Sequence, residues 1–419
     1  MAKSKKKTHT CNFCGKTPQK VGPLVKGHPA DQPDKIVRIC LECASNVSLI
    51  LAADKKKKKV NRIPRLPAPK ELVERMDEYI IGQQEAKRTM AIAVVNHYKR
   101  LLAEQMGDDD PYRDVELEKS NVLLIGPTGC GKTLLAKTMA DFLDLPFAIG
   151  DATSITEAGY VGDDVESLLL RLIMESNQNI ELAQKGILYI DEIDKIASSR
   201  GNLSITRDVS GEGVQQSLLK IIEGTISHVP PTGGRKHPEQ QCIEFDTSNI
   251  LFICGGSFNG LETVVNKRLG KSAMGFDAEV KRQKMNGSKN KKNYLSQITP
   301  DDLRHYGMIP EFVGRLPIIT YVEELSIESL VKILTEPKTA LLKQFQKLFN
   351  MDKVSLEFEE AAIREMAAVA KKLNTGARAL RSVVEKVMSP LMFDIPALGS
   401  TCTVDLDMVK KSISGEVAA

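Results

Sequence analysis

The sequence predicts an α/β protein in three parts: a small cysteine-paired module, a parallel-sheet domain built on a glycine-rich loop, and a smaller α-rich (α+β) domain. Three observations carry this. The apolar run Asn121 to Ile125 leads directly into Gly126-Pro127-Thr128-Gly129-Cys130-Gly131-Lys132-Thr133, which fits G-x-x-x-x-G-K-[ST]. Two further apolar runs, Gly186 to Asp191 and 249–254, have the continuity of strands buried on both faces of a parallel sheet. Beyond Ser326 the pattern turns to amphipathic helices with two short strand-like runs, Val354 to Phe358 and Thr401 to Leu406.

The glycine-rich stretch carries phosphate chemistry. Gly126, Gly129 and Gly131 can turn successive N–H groups into one concave anion site. The helix beginning near Gly131 adds the positive end of its dipole. Lys132 can then reach the β- and γ-phosphates, and Thr133 can put its hydroxyl on Mg²⁺. Cys130 is a small filler in the loop. The strand ending at Asp191-Glu192 is the expected partner: Asp191 for the Mg²⁺ shell and Glu192 to polarise an attacking water. A plain glycine turn and an ordinary acidic helix start are the bland readings. The complete motif in its strand-to-helix context outweighs both.

Composition narrows the class. The chain has 419 residues, 42% hydrophobic, with no Trp, so its cores are expected to be aliphatic. No apolar run approaches the ~20 residues of a membrane span. The basic N-terminus leads into no apolar segment of a secretory signal, and a soluble cytoplasmic protein is expected, or an organellar one if a presequence was removed. Residues 1 to 70 hold 17 Lys/Arg against 4 Asp/Glu, whereas the rest holds 41 against 50. The excess positive charge therefore belongs to the N-terminal segment, not to the whole protein.

Cys11-x-x-Cys14 and Cys40-x-x-Cys43 are separated by 25 residues. Two such knuckles present four thiolates to one tetrahedral ion, which selects structural Zn²⁺. A disulfide module and redox C-x-x-C sites are the alternatives, and the reducing compartment argues against both. Residues 1–51 form this module, and 52–69, with its lysine run and three prolines, a linker. The sheet domain is placed at 70–318 and the small domain at 319–419.

Within the sheet domain, a helix is expected over Glu85 to Met106, with Met90, Val94, Tyr98 and Leu101 on one face. Just before it, Ile80 and Ile81 of the Tyr79-Ile-Ile-Gly82 corner form a plausible apolar clamp for adenine, or equally part of the core. Tyr160 and Val161 stand between Gly159 and Gly162; a mobile tip and a hairpin turn fit this pattern equally. Arg207 lies in a polar, Gly/Ser-rich stretch, and Arg235, Lys236 and His237 in a second basic loop. Residues 265–296 carry nine Lys/Arg against two acidic residues and read as a long exposed loop, with Met274-Gly275-Phe276 as an apolar tip. Arg315 precedes a strand at Ile318 to Val322. In the small domain, a helix is expected from Ser326 towards Phe349, another from Glu360 to Leu373, and a third opening at Gly376-Ala-Arg378.

Taken in order, the C-x-x-C pairs, Lys-rich linker, GPTGCGKT, GYVG, ILYIDEIDK, RKH, IPEFVGRLP and GARALRS resemble the ClpX family of AAA+ protein unfoldases over nearly the whole chain. The phosphate loop alone marks only a nucleotide hydrolase; GYVG, RKH and the cysteine module make the resemblance specific. It implies an ATP-dependent unfoldase and translocase that works as a homohexamer and delivers tagged proteins to the ClpP peptidase. It also implies that Arg315 is an arginine finger for a neighbouring subunit and Arg378 a nucleotide sensor. Tyr160 and Val161 would grip substrate in the pore, Arg207 would sit in a second pore loop, and Arg235, Lys236 and His237 would stand at the entrance. Met274-Gly275-Phe276 stands where the family commonly has Ile-Gly-Phe or Leu-Gly-Phe for contact with ClpP, and Ile80 where Val is common. The cysteine module would dimerise and recruit adaptors or substrates.

Two other classes compete. A nucleic-acid motor would use a zinc module with a basic tail, but the basic excess is confined to the linker region and Phe13 is the only aromatic there. A self-contained protease lacks support, since no H-E-x-x-H occurs and the tail after Leu406 is too short for a peptidase domain.

Overall fold

The computed structural model describes residues 10–27, 36–45, 47, 66–103, 112, 114–156, 164–198, 211–231, 242–271, 294–373, 375–395 and 400–414. The chain divides into two compact units, residues 1–63 and 64–419. In the first, β1 (Leu24–Gly27) and β2 (Val37–Cys40) pair antiparallel with Leu24 opposite Cys40. Among its described residues only Cys11 and Cys40 are buried. A module with so little apolar interior depends on a cross-link or a metal for stability.

The second unit begins with α1 (Pro69–Asp77) and α2 (Gln84–Ala103). Its main sheet comprises β3 (Val122–Ile125), β4 (Phe147–Asp151), β5 (Ile187–Asp191), β8 (Leu251–Gly256) and β9 (Ile318–Tyr321). The spatial order is β4-β5-β8-β3-β9, and every pair is parallel. The strands β3 and β8 are buried at every position, as their unbroken apolar sequence requires. A hairpin of β6 (Ile226–Val229) and β7 (Ile243–Asp246) forms a separate small sheet. Helices α3 (Lys132–Phe142), α4 (Glu166–Glu175) and α5 (Glu212–Glu223) bury aliphatic faces. Leu168, Leu172, Leu218 and Ile222 pack with Leu188, Ile190 and Phe252 of the sheet in one core. Each such side chain contributes about 1.5–3 kcal/mol. The long α6 (Leu261–Lys271), α7 (Pro300–Tyr306) and the short α8 (Pro310–Gly314) lead back to β9.

The remainder is helical: α9 (Ile327–Thr335), α10 (Leu341–Met351), α11 (Glu360–Lys372), α12 (Ala377–Phe393) and α13 (Leu406–Ser414), with a parallel pair β10 (Ser355–Phe358) and β11 (Thr401–Val404). No helix among the described residues is long and apolar enough to cross a membrane.

Three expectations need correction. The single helix from Ser326 towards Phe349 is two helices, because Pro337 falls between α9 and α10 and cannot continue the hydrogen-bond ladder. The strand expected at 249–254 is Leu251–Gly256 and runs through both glycines. A Cβ on Gly255 would lie 2.1 Å from Tyr189 Oη, so this glycine serves close packing, not a turn. The domain boundary expected at 318/319 falls inside β9, whose Ile318–Tyr321 pair with Val122–Ile125; the sheet therefore continues past it.

Candidate nucleotide site and metal cluster

The carboxyl ends of β3, β5 and β8 open into a cleft of about 580 Å³. Thr128, Gly129, Gly131, Lys132 and Thr133 line one side and Asp191 and Glu192 another. Arg378 reaches in from α12. The sequence-predicted phosphate, acidic and sensor residues therefore converge on one space, where open α/β sheets bind ligands.

Each group is positioned by its element. Lys132 opens α3 and is buried; its ammonium donates to the carbonyls of Gly126 at 2.6 Å and Pro127 at 3.0 Å. Burial pushes the Lys132 ammonium down, and Asp191 works against that shift. Thr133 Oγ1 donates to Asp191 Oδ2 at 3.1 Å. A hydroxyl and a carboxylate thus meet from two different elements, a pair that suits a hard cation. Asp191 also accepts from Tyr189 Oη at 3.2 Å and from the Glu192 N–H at 3.0 Å. Glu192 itself is left-handed, φ 56°. That backbone costs a non-glycine residue on the order of 1–2 kcal/mol, and such strain clusters at functional sites.

The phosphate loop is also held from the small domain. The Ala377 N–H donates to the Gly129 carbonyl at 2.9 Å. Gly129 (φ 77°) and Gly376 (φ 61°) pack backbone to backbone there. A Cβ on Gly129 would lie 2.1 Å from Thr375 O, and one on Gly376 would lie 2.7 Å from Gly129 O. Only two glycines allow this approach.

Several lining residues were not anticipated: Asp194, Lys195, Ser257, Asn259 and Arg381. Asp194 is buried and accepts from the Ser257 N–H at 2.9 Å and Oγ at 3.0 Å, tying the turn after β5 to the end of β8. Its spacing, three residues after Asp191, is the signal in the sequence. Ser257 and Asn259 are hidden behind the two glycines that seemed to end the strand.

Ile80 and Ile81 do not line this cleft. Ile80 is buried, and Ile81 half-buried, in a corner joined to the cleft through the chain. Gln83 Nε2 donates to Glu323 O at 2.8 Å, and the Glu323 N–H donates to Gln83 Oε1 at 2.7 Å. Glu323 follows Val322, against which Gly126 packs. Arg315 is also absent from the cleft lining; its Nε donates to Glu223 Oε1 at 2.8 Å on the surface. Tyr160, Val161, Arg207, Arg235, Lys236, His237, Met274, Gly275 and Phe276 lie outside the described residues.

In the N-terminal unit, the four sulfurs of Cys11, Cys14, Cys40 and Cys43 lie within 4.8 Å of one another. Four thiolates at ~2.3 Å from one tetrahedral ion would stand about 3.8 Å apart. Cys14 and Cys40 are already 3.9 Å apart. The Cys40 N–H points to Cys11 Sγ at 3.3 Å and the Cys43 N–H to Cys40 Sγ at 3.5 Å. The backbone N–H of Cys14 holds the Cys11 thiol down at about 6, while the hydrogen bond to Cys40 pushes Cys43 up to about 12. The four cysteines are positioned to bind a metal.

The parallel sheet, phosphate loop, acidic strand end and helical second domain define an AAA+ ATPase, a class that uses ATP and Mg²⁺. Residues 117–319 match the family model described as AAA domain (Cdc48 subfamily). Residues 325–404 match the C-terminal, D2-small domain, of ClpB protein. The ATP-dependent Clp protease ATP-binding subunit ClpX of Treponema denticola is 50% identical over 388 residues, covering 93% of this chain and 90% of the relative. Proteins of that name from Borrelia duttonii and Borrelia recurrentis are each 49% identical over 400 residues, covering 95% of this chain and 90% of the relative. The chain belongs to the ClpX family.

Proposed function

We propose that this chain is an ATP-dependent protein unfoldase and translocase that works as a homohexamer and delivers tagged proteins to the ClpP peptidase. The observation that carries it is the cleft, where a phosphate loop, two carboxylates and an arginine from a second domain meet around one space. Lys132 leaves the loop carbonyls to bind the β- and γ-phosphates, and the free N–H groups at the start of α3 complete the anion site. Thr133 and Asp191 would hold Mg²⁺, which would supply positive charge opposite the phosphates. Glu192 orients the attacking water and accepts its proton. Arg378 senses the nucleotide from α12. Arg315, exposed and outside its own cleft, serves the site of the neighbouring subunit, a role worth roughly 10³–10⁵ in rate in other hydrolases.

Tyr160 and Val161 grip the substrate chain, Arg207 lines a second pore loop, and Arg235, Lys236 and His237 attract acidic tails. Met274-Gly275-Phe276 docks on ClpP, Met being close to Ile in volume and more flexible. Cys11, Cys14, Cys40 and Cys43 hold a structural Zn²⁺ in a module that recruits adaptors or substrates. The chain has no peptidase activity of its own and acts in the cytoplasm.

The decisive experiment mixes the full chain with ATP, ClpP and a stable tagged fluorescent reporter. Fluorescence should fall only with ATP, and Glu192→Gln should bind ATP but leave the reporter intact. ATP hydrolysis without reporter loss, stimulated instead by DNA, would replace this reading with that of a nucleic-acid motor.

A further inference from the structure

Tyr189 is fully enclosed in β5, yet it carries a hydroxyl. Its neighbours Leu188 and Ile190 join the core shared with Leu168, Leu218 and Phe252. Tyr189 lies on the opposite face, as alternation along a strand requires. A buried hydroxyl is costly unless it meets a partner. Here Tyr189 Oη donates to Asp191 Oδ1 at 3.2 Å, two residues further along the same face.

The ring reaches that position over Gly255 of β8. A Cβ on Gly255 would lie 2.1 Å from Tyr189 Oη and 2.7 Å from the ring carbon that bears it. A glycine inside a strand often marks such a close approach.

The two oxygens of Asp191 are thereby divided. Oδ1 accepts from Tyr189 Oη and from the Glu192 N–H at 3.0 Å. Oδ2 meets Thr133 Oγ1 at 3.1 Å, and both residues line the cleft. An aspartate carboxylate turns easily about its last bond. Without the tyrosine hydroxyl, Oδ1 would be held only by the N–H of Glu192, whose own backbone is left-handed.

We infer that Tyr189 is a positioning residue for the cation that accompanies the nucleotide: by fixing Asp191 Oδ1, it commits Oδ2, beside Thr133, to Mg²⁺. This rests on the reading of Thr133 and Asp191 as the Mg²⁺ pair. Hydrogen bonds to a ligating carboxylate from outside the metal's own ligands typically change metal affinity about 10–100-fold.

The test measures the affinity of the full chain for a fluorescent ATP analogue, once with Mg²⁺ and once with EDTA. Wild type should bind more tightly with Mg²⁺. Tyr189→Phe keeps the ring and should lower the Mg²⁺-to-EDTA affinity ratio about tenfold, with the EDTA value within about twofold of wild type. An unchanged ratio overturns the inference, including the case where both affinities fall together, as a merely structural role would make them. Tyr98→Phe removes another buried hydroxyl, which donates to Lys185 O at 2.7 Å away from the cleft. It should keep the wild-type ratio, and a drop there as large as in Tyr189→Phe overturns the inference. Should thermal unfolding show that Tyr189→Phe does not fold, Gly255→Ala displaces the hydroxyl instead, and an unchanged ratio there overturns it equally. Wild type that binds the analogue alike with and without Mg²⁺ overturns the reading of the Mg²⁺ pair itself.

Discussion

The two ends of the central sheet use the same kinds of side chain for opposite purposes. At the amino end, α2 closes the loops that enter the strands. His97 Nε2 bonds the Asn249 carbonyl at 3.1 Å, Arg100 donates to Ser248 O at 3.1 Å, and Tyr98 Oη donates to Lys185 O at 2.7 Å. Lys119 donates to Thr247 O at 2.9 Å and stands 4.6 Å from the centre of the Phe252 ring. At the carboxyl end, Lys132 also donates to carbonyls, but these belong to the phosphate loop and the cleft beside them is open. Lys119 is half-buried against the turn before a strand, whereas Lys132 is buried beside an open cleft. Residue type alone does not separate the two.

The largest expected effect tests the carboxyl end. Lys132→Ala should weaken ATP binding about a hundredfold or more, since a desolvated charge opposite the phosphates is lost. Its thermal stability without nucleotide should stay near wild type. Near-normal affinity by equilibrium binding would remove the contrast with Lys119.

At the amino end the readout is stability against pH. Burial pushes the His97 imidazole down to about 3, with Arg100 and Lys119 adding to the shift. Its Nδ1 is buried and meets no donor, as fits a neutral ring donating through Nε2. The unfolded chain takes up this proton near pH 6.5, the folded protein only near 3. The contribution is therefore complete above about 6.5 and is lost as pH falls towards 3. Urea unfolding should lose roughly 2–3 kcal/mol between pH 6 and pH 4 from this group, and His97→Gln should flatten that window without altering ATP affinity. An identical pH profile in the variant would show that His97 does not stay neutral.

A smaller effect is expected where the small domain meets the phosphate loop. Gly376→Ala places a Cβ 2.7 Å from Gly129 O, so the backbones must separate. ATP affinity should fall about tenfold, or ~1.4 kcal/mol, measured by calorimetry. Wild-type affinity would mean that the loop holds its shape without α12. The smallest effect is expected for Arg381→Ala. Its guanidinium lines the cleft but is exposed and paired to Glu385 at 2.7 Å. Affinity should change less than about threefold; a larger loss would make it a nucleotide contact in its own right.

Much of this site was legible in the chain because its signals are local. A strand, a turn and a helix start lie within thirteen residues, 121–133, and the loop geometry expected of a phosphate site is contained in them. The acidic strand end and the cysteine pairs are likewise contiguous patterns. Ser257 and Asn259 were not legible, because what brings them to the cleft is the continuation of β8 through Gly255 under Tyr189, a contact between strands. Pro337 was visible as a helix breaker, yet the amphipathic pattern on both sides masked it.

By itself, the sequence determined the parallel sheet, the phosphate chemistry and the four-sulfur cluster, since each follows from residues whose spacing sets their geometry. Only the tertiary structure decided which lysine faces an open cleft and which sits against the turn before a strand. It alone joined Gly129 to Gly376 and put Arg315 outside the cleft lining. These outcomes depend on whether space remains around a group after the rest of the chain has packed, and no local pattern records that space.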